Sequence, residues 1–465
     1  MFRKILIANR GEIAVTVIRA CREIGIRSVA VYSEADREAL HVLLADESIC
    51  IGPADAGQSY LNRQAILSAA LMSGAEAIHP GFGFLSENVS FARMCEACHI
   101  CFIGPDSEAM ALLGDKAMAR ASARAAGLPV IPGSQDILNT VEEARLAAAE
   151  IGYPVMIKAA SGGGGRGMRI ARAEAELERA YLAARAEARA AFGDDRVYIE
   201  RFILNPRHVE IQLLGDRQGN VVHLNERDCS IQRRNQKLLE EAPSPAVSPA
   251  LRKKMGQAAV ELARSVNYVG VGTIEFLLDE DKHYYFMEMN TRIQVEHPVT
   301  EAITGTNLVQ EQIKAAAGLT LTLKQSQLQP RGHALECRIN AEDPRADFRP
   351  TPGRIEQLLL PGGPGVRVDT ALYPGYEIPP YYDSMLAKVI VSAATRTEAI
   401  QRMRRALTEF VISGVPTTLD LQLAILRDPD FIAGNCDIGY MNRKWPQLQA
   451  ELEGKEEVRV HAGAR

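Results

Sequence analysis

One stretch of the chain, Gly272 to Pro298, restricts the possible fold more than any other. From Glu288 onward, polar and apolar residues alternate with a period of two, which is typical of an extended segment with one face on a core. The polar positions carry charged and amide side chains instead of ordinary surface residues: Glu288, Asn290, Arg292, Gln294 and Glu296. We therefore predict a strand whose polar face is a functional surface.

Residues 272–290 fit a β-hairpin that turns at residues 281–282. This turn pairs apolar side chains across the two strands on one face: Ile274 with Met289, Phe276 with Met287, and Leu278 with Tyr285. Because a buried sheet face selects apolar neighbours, these pairs define a register without any reference to the polar face.

The same register sets Thr273 opposite Asn290 and Glu275 opposite Glu288. Two like charges in direct opposition destabilise a strand pair, which suggests that a positive group lies between them. Two carboxylates and the Asn290 carbonyl form an oxygen set that suits Mg²⁺ or Mn²⁺, with nucleotide phosphates as further ligands. The hairpin thus predicts a metal site. The alternative is a solvated polar face with the register slipped by one residue.

The bulk composition narrows the class of protein. A chain of 465 residues exceeds one compact core, so we expect roughly two to four domains. A net charge of −5 argues against nucleic acid as the main partner. No apolar run approaches the length of a membrane span and no signal peptide opens the chain, so we expect no membrane association and a cytoplasmic location. Eight cysteines in a chain of this size indicate reduced thiols.

The first part of the chain, residues 1–113, predicts an N-terminal α/β domain. Residues 4–8 and 28–32 have strand patterns, and residues 12–24 between them have a helix pattern, so the unit is βαβ and the sheet is parallel. The first turn has a single glycine, which argues against the glycine-rich fingerprint of an NAD enzyme. A glycine-rich loop at residues 79–88 suits the close approach of a ligand.

The middle of the chain, residues 114–330, contains four consecutive glycines, Gly162–Gly165, just after a predicted strand that ends at Lys158. Such a run loses much chain entropy on ordering and suits a mobile flap whose N–H groups wrap phosphates. It is not a Walker loop, because Met168 stands where that motif has lysine. A flexible hairpin is the alternative. Residues 226–237 hold four cations, which either gather around anions or lie in a solvated loop.

The last part of the chain changes character. Residues 331–446 combine short strand patterns, turns rich in proline and glycine, and helix patterns, which predicts a third domain of the α+β class. Residues 447–465 are charged and poor in turn residues, and we expect them to form a loosely held polar tail.

Several long strings in these segments resemble the biotin carboxylase family, which belongs to the ATP-grasp enzymes. The strings lie at residues 7–14, 79–88, 162–168, 205–212, 226–230 and 288–301. The resemblance covers residues 1 to 445 and is more specific than any single glycine motif. It implies an ATP-grasp architecture with an N-terminal parallel-sheet domain, a central domain that carries a mobile glycine-rich lid at residues 131–203, and a C-terminal α+β domain.

The resemblance implies ATP-dependent carboxylation of biotin through carboxyphosphate, and it implies roles for individual residues. Lys116 and Lys158 would hold the phosphates of ATP under the flap, with Gly164 and Gly165 in that flap. The other nucleotide-site residues that it implies are Glu200, Arg201, Ile203, His208, Gln232 and Asn235. Glu275 and Glu288 would contact the nucleotide through two Mg²⁺ or Mn²⁺ ions, and the metal ligands would be Glu275, Glu288 and Asn290.

The remaining roles concern bicarbonate and biotin. Bicarbonate would be held by Lys237, Arg292, Gln294 and the backbone of Val295. Glu296 would be its general base, and since it shares a strand parity with Arg292, we expect Arg292 to keep it ionised. Arg338 would stabilise the enolate-like oxygen of biotin, beside Phe82. Asn235 and Phe82 depart from the commonest residues of the family, histidine and tyrosine, so an imidazole and a phenol are excluded there.

The resemblance also implies partners. Biotin would arrive on a separate biotin carboxyl carrier protein, carboxyltransferase subunits would complete the reaction, and the chain would form a homodimer. We expect no biotin on the chain itself, since it contains no Met-Lys-Met sequence. Acetyl-CoA, in fatty acid synthesis, is the expected acceptor. The alternatives are another acyl-CoA or pyruvate carboxylase, a different ATP-grasp ligase that forms an acyl-phosphate, and a regulatory subunit that binds ATP without chemistry.

Overall fold

The N-terminal part of the chain is a parallel α/β unit, as predicted. The computed structural model describes residues 1–134, 137–160 and 168–463. The strands are β1 (Lys4–Ile7), β2 (Arg27–Ser33), β3 (Glu47–Gly52), β4 (Ala77–His79) and β5 (Cys101–Phe102), and the helices are α1 (Gly11–Glu23), α2 (Leu40–Leu44), α3 (Arg63–Ser73), α4 (Val89–Ala97) and α5 (Ser107–Gly114). The five strands form one parallel sheet in the order β3-β2-β1-β4-β5.

A small antiparallel unit follows. Its elements are α6 (Lys116–Ala125), α7 (Val141–Ile151), β6 (Val155–Ala159), β7 (Met168–Ala171), α8 (Glu174–Phe192) and β8 (Val197–Arg201). The three strands pair in the order β7-β6-β8, with α7 and α8 packed on them. The predicted flap, Gly162–Gly165, lies outside the described residues.

The rest of the chain is built on one large sheet. The elements that follow are β9 (Arg207–Gly215), β10 (Val221–Arg233), β11 (Gln236–Ala242), α9 (Pro249–Ser265), β12 (Gly270–Leu278), β13 (Tyr284–Asn290), α10 (His297–Thr304), α11 (Leu308–Ala316) and β14 (His333–Asn340). The last ones are β15 (Glu342–Asp343), β16 (Arg349–Pro350), β17 (Gly353–Arg354), β18 (Leu358–Leu359), β19 (Val366–Thr370), β20 (Glu377–Ile378), β21 (Met385–Ala393), α12 (Arg396–Glu409), β22 (Val411–Ile412), α13 (Leu419–Ile425), α14 (Pro429–Ala433) and α15 (Tyr440–Gly463).

Eight of these strands form an antiparallel sheet in the order β13-β12-β9-β10-β11-β14-β21-β19. The pairing of β11 with β14 carries this sheet across the predicted domain boundary at residue 330. The cation-rich stretch at residues 226–237 lies in the β10–β11 hairpin, so the alternative of a solvated loop holds only for the exposed turn at its tip, whereas Arg227 is buried.

The two faces of the sheet differ as the alternating sequence predicts. On β9 and β12 the apolar residues face a core under α9 and α6, for example Val209, Ile211, Ile274 and Phe276. The residues of the opposite parity, such as Glu210, Thr273 and Glu275, are polar and also buried. A buried polar face needs partners for every charge, and these partners form the site described below.

In the hairpin β12–β13, the predicted register is correct up to Glu275 and wrong beyond it. The pairs Thr273–Asn290, Ile274–Met289 and Glu275–Glu288 are confirmed. Beyond Glu275 the register shifts, so that Phe276 pairs with Phe286 and Leu278 with Tyr284. The pairs predicted for Met287 and Tyr285 are therefore wrong, because a β-bulge adds one residue at Met287 to one strand.

The predicted strand also ends earlier than expected. β13 stops at Asn290, and residues 291–296 form turns that lead into α10. At the other end of the chain, residues 447–463 continue α15, and Leu448 and Leu452 are buried in the C-terminal core. The first part of the expected tail is thus a packed helix. In the part of the chain that the structure describes, no helix combines the length and apolarity needed to cross a membrane.

Candidate active site

The polar face of the large sheet opens into a cleft of 530 Å³. Strands β9 to β14, the loop after β13, and the residues that begin α6 and end β6 all contribute to it. Most of the predicted site residues line it: Lys116, Lys158, His208, Gln232, Asn235, Lys237, Glu275, Glu288, Asn290, Arg292, Gln294, Val295, Glu296 and Arg338. Side chains from distant parts of the sequence therefore meet in one place.

A second cavity, of 520 Å³, lies beside the first and shares part of its wall. Arg292, Val295 and Arg338 line both cavities. Phe82 lines the second cavity only, together with residues that begin α1 and with Tyr382. The shared wall thus contains three of the residues predicted to hold bicarbonate or biotin, together with Asp383 and Met385.

Some predicted nucleotide residues do not line these two cavities. Glu200 is buried and forms ion pairs with Lys158 and Arg120. Arg201 lines a different cavity, beside α7. Ile203 is buried at the end of the small antiparallel unit. Gly164 and Gly165 lie outside the described residues.

Lys237 is the centre of the charge network. Its ammonium Nζ lies 2.7 Å from Glu210 Oε2, 3.0 Å from Glu275 Oε1 and 2.6 Å from Glu296 Oε1. Burial alone lowers the pKa of this ammonium, but the three carboxylates outweigh burial and raise the pKa well above its usual value. Lys237 is therefore a permanent cation at neutral pH.

Glu296 is buried and held on both sides by cations. Its Oε1 accepts from Lys237, and its Oε2 accepts from Arg338 Nη2 at 2.9 Å. Burial raises the pKa of this carboxyl, and the charges of Lys237, Arg338 and Arg227 outweigh that effect and hold the pKa well below its usual value. Glu296 is ionised at neutral pH.

The prediction that Arg292 keeps Glu296 ionised is wrong. Arg292 donates to Glu87 Oε2 at 2.9 Å and to Asn290 Oδ1 at 2.9 Å. The reason is that the chain turns after Asn290 instead of continuing as a strand, so alternate residues no longer share one face. Lys237 and Arg338 take the role expected of Arg292.

Arg227 is the main residue that the sequence reasoning missed. Its guanidinium is fully buried and donates to Glu210, Gln212, Thr300, Thr273 and Gln294 at distances of 2.5–3.1 Å. Its hydrogen bond to Gln294 Oε1 fixes the orientation of the Gln294 side chain. The cation-rich stretch at residues 226–237 contained this signal, but nothing in the sequence separates a buried arginine from the exposed ones in that stretch.

The opposed carboxylates of the hairpin fit a divalent cation. Glu275 Oε1 accepts from Lys237, from Asn290 Nδ2 at 3.0 Å and from Gln294 Nε2 at 2.8 Å. Glu288 is partly exposed and lies 3.8 Å from Lys116. Burial and then the charge of Glu275 raise the pKa of Glu288. Lys116 is a distant partner for Glu288, and the oxygens of Glu275, Glu288 and Asn290 are of the ligand type that Mg²⁺ prefers.

The backbone carbonyl and the backbone N–H of Val295 differ in their hydrogen bonding. Its carbonyl oxygen accepts from Lys388 Nζ at 2.9 Å. Its N–H has no acceptor within the described part of the chain. Because Val295 lines both cavities, this donor is available to a bound anion.

Comparison with known proteins assigns the class. Residues 115–324 match the family described as carbamoyl-phosphate synthase L chain, ATP binding domain. Together with the large antiparallel sheet and its charged cleft, this match defines an ATP-grasp enzyme. Residues 1–110 match the biotin carboxylase N-terminal domain, and residues 336–443 match the biotin carboxylase C-terminal domain. The chain belongs to the biotin carboxylase family and is an ATP-dependent ligase.

Relatives of nearly equal length support this assignment. A biotin carboxylase of Nostoc sp. is 58% identical over 440 residues, which are 95% of this chain and 98% of the relative. Biotin carboxylase 1 of Bacillus subtilis is 57% identical over 442 residues, with 95% and 98% covered.

Solved structures share the fold over nearly the whole chain. A biotin carboxylase complex from Campylobacter jejuni has a TM-score of 0.91 and 48% identity, covering 95% of this chain and 99% of that chain. The biotin carboxylase domain dimer of the 2-oxoglutarate carboxylase of Hydrogenobacter thermophilus, with MgADP, ADP and bicarbonate, has a TM-score of 0.90 and 52% identity, with 97% and 99% covered. A Rhizobium etli pyruvate carboxylase has a TM-score of 0.88 and 45% identity, with 96% of this chain and 41% of that chain covered.

Proposed function

We propose that the chain uses ATP and bicarbonate to carboxylate biotin on a separate carrier protein, through carboxyphosphate, as the first half-reaction of acetyl-CoA carboxylase. The observation that carries this proposal is the location of Glu296. It is an ionised, buried carboxylate between Lys237 and Arg338, in the cleft that also contains the nucleotide-site lysines. Arg338 lines the second cavity as well, so a ligand in either cavity can reach the guanidinium that pairs with Glu296.

Bicarbonate binds next to Glu296 in this proposal. The free N–H of Val295, the guanidinium of Arg292 and the ammonium of Lys237 are donors on its side of the cleft. Once the anion pairs with one of these cations, less positive charge acts on Glu296. The pKa of Glu296 therefore rises, and Glu296 becomes a better base. Glu296 then removes the proton of bicarbonate as a bicarbonate oxygen attacks the γ-phosphorus of ATP and the bond to the β–γ bridging oxygen breaks, which gives carboxyphosphate and ADP.

The side of the cleft that binds the nucleotide supplies positive charge and positions the phosphates. Phosphoryl transfer depends on both far more than on covalent participation of the protein. Lys116 and Lys158 contact the phosphates, and Lys158 exchanges its ion pair with Glu200 for a phosphate oxygen. Glu275, Glu288 and Asn290 hold Mg²⁺, which neutralises phosphate charge when it is bound.

Biotin occupies the second cavity in this proposal, between Phe82 and Arg338. Carboxyphosphate splits into CO₂ and phosphate, the phosphate accepts the proton of the ring nitrogen, and that nitrogen bonds to CO₂. The guanidinium of Arg338 stabilises the negative charge that grows on the ureido oxygen as the proton leaves. The carrier protein and carboxyltransferase subunits are then its functional partners. A homodimer is the expected assembly, since the Hydrogenobacter thermophilus domain is described as a dimer.

The test of the reaction is ATP cleavage by the purified chain with free biotin and bicarbonate, each omitted in turn. We expect cleavage to require bicarbonate and to be stimulated by biotin, with labelled bicarbonate transferred to biotin. Cleavage without any transfer to biotin would indicate a different ATP-grasp ligase. Nucleotide binding with no cleavage at all would indicate a regulatory subunit.

The final acceptor needs its own experiment, because solved structures similar to this chain belong to 2-oxoglutarate and pyruvate carboxylases. A carboxylase of a 2-oxo acid is therefore the second candidate. The complex that contains this chain is isolated from its native source with its biotinylated partner. It is then offered acetyl-CoA, propionyl-CoA, pyruvate and 2-oxoglutarate. Carboxylation of acetyl-CoA alone supports the first proposal, and carboxylation of a 2-oxo acid contradicts it.

A further inference from the structure

The loop that carries Val295 and Glu296 rests on a buried lysine from the C-terminal part of the chain. Lys388, on β21, donates from Nζ to the carbonyl oxygen of Val295 at 2.9 Å. Its side chain is fully buried, with an exposed fraction of 0%. A buried ammonium is costly unless it is paired, so its surroundings decide whether it is charged.

Three other parts of the chain meet at this ammonium. Glu12 Oε1, on α1, lies 3.1 Å away, and Asp369 Oδ2, on β19, lies 3.8 Å away. Glu336 on β14 adds a further carboxyl group, and Arg367 adds an opposing cation. Burial lowers the pKa of Lys388, but Glu12 and the other carboxylates outweigh it, so the net pKa is raised and the ammonium stays charged. Lys388 thus joins α1, the C-terminal strands and the Val295 loop.

We propose that Lys388 is a positioning residue of the bicarbonate site. It holds the carbonyl of Val295 away from the cleft. That carbonyl belongs to the planar peptide unit that joins Val295 to Glu296, so its orientation also fixes the position of the Glu296 backbone nitrogen. The free N–H of Val295 and the carboxylate of Glu296 then face the anion together. This inference rests on the proposed function of Val295 and Glu296.

Lys388→Met tests the role of the ammonium, because Met has a similar length and no charge. Without the hydrogen bond the Val295 carbonyl is free to turn, and displacement of a donor and a base by about 1 Å is enough to reduce rates by about 10²-fold. We expect kcat/KM for bicarbonate, in the ATP-cleavage assay, to fall by about that factor. The dissociation constant of ATP, measured by direct binding, should change by less than about twofold, since Lys388 does not line the cleft that contains Lys116 and Lys158.

A double variant separates positioning from stability. In Lys388→Met alone, Glu12 becomes an unpaired buried carboxylate, whereas Asp369 keeps Arg367 at 2.8 Å. Lys388→Met/Glu12→Gln removes that unpaired charge, so the melting temperature should recover while kcat/KM for bicarbonate stays low. Arg396→Met is a matched control, because it breaks an ion pair with Glu241 at 2.6 Å, between α12 and β11, and neither residue lines the two cavities. It should lower the melting temperature without changing kcat/KM for bicarbonate.

Two results overturn the proposal. One is a wild-type kcat/KM for bicarbonate in Lys388→Met. The other is recovery of kcat/KM together with the melting temperature in the double variant, which would make Lys388 purely structural. Failure of the proposed function looks different, since the wild-type chain itself would then lack bicarbonate-dependent ATP cleavage.

Discussion

At the scale of single residues, the buried cations of the cleft are already paired with carboxylates before a substrate binds. Lys237, Arg227 and Arg338 face Glu210, Glu275, Glu296 and Glu240 at hydrogen-bond distance. An incoming anion therefore replaces existing ion pairs instead of filling a vacant positive site. Such replacement couples bicarbonate binding to the basicity of Glu296.

Glu296→Gln is the sharpest residue-level test of this coupling. Glutamine keeps the size and one acceptor oxygen of Glu296 but cannot take the proton of bicarbonate. We expect Mg·ATP to bind nearly as in the wild type, while bicarbonate-dependent ATP cleavage falls by about 10²-fold or more. The measurements are ATP binding by calorimetry and steady-state cleavage at saturating bicarbonate.

Glu240→Gln is the matched control for this variant. Glu240 is a second buried carboxyl group on the same guanidinium, 2.5 Å from Arg338 Nη2, but it does not line the cleft, and burial raises its pKa to about 7. Cleavage should fall far less in this variant than in Glu296→Gln. Equal losses in both variants would mean that Glu296 acts only by pairing Arg338, and the proposed general base would be lost.

At the scale of secondary-structure elements, the β10–β11 hairpin carries Gln232 and Lys237 into the cleft. Its two-residue loop is Arg234-Asn235, with φ of 49° and 65°. Two successive residues in the left-handed region are typical of a type I′ turn, in which asparagine and glycine are favoured. This gives a physical reason for an asparagine at position 235.

The turn predicts how this position tolerates substitution. Asn235→Gly should keep the stability of the protein, because glycine adopts positive φ without strain. Asn235→Val should cost about 1–2 kcal/mol, because a β-branched residue is strained there. Urea unfolding of the two variants measures the difference. Equal stability of both variants would contradict the assignment of the turn.

The elements also explain which predictions from the sequence succeed. Period-two alternation identified the polar face of β12 and β13, and the apolar pairs gave the register next to Glu275 and Glu288. The bulge at Met287 was not predictable, because a single extra residue leaves the alternation on either side intact. The end of β13 at Asn290 was missed for the opposite reason, since alternation continued through residues that form turns.

Contacts between distant residues were outside the reach of local patterns. Glu296 meets Lys237, 59 residues away, and Arg338, 42 residues away. Only the strand order of the large sheet brings them together, and the resemblance to a family named these residues without supplying the pairing. Arg227 was missed because burial of a cation is decided by all the strands around it.

At the scale of the whole molecule, the N-terminal and C-terminal parts meet through an apolar cluster and through polar contacts beside the second cavity. The Arg10 guanidinium lies 4.3 Å from the ring centroid of Tyr382 and pairs with Asp36 at 2.5 Å. The Tyr382 hydroxyl lies 2.5 Å from Ser33 Oγ and donates to the carbonyl of Ala54 at 2.7 Å. Burial raises the pKa of Asp36, but its bonds to Arg10 outweigh burial and lower it, so the pair stays charged.

Tyr382→Ala tests whether these contacts hold the two parts together. Loss of a fully buried aromatic side chain costs about 3–5 kcal/mol, and since Tyr382 is only partly buried, we expect about 2 kcal/mol. The loss should appear as amide hydrogen exchange that speeds up in β2, which ends at Ser33, and in β3, which lies near Ala54, more than in the large sheet.

Tyr382→Phe keeps the ring under Arg10 and should lose less stability. Tyr381→Ala is the matched control, because that neighbouring side chain is 57% exposed. Unchanged exchange in β2 and β3 in Tyr382→Ala would show that the two parts associate through other contacts, and that the second cavity keeps its shape without this tyrosine.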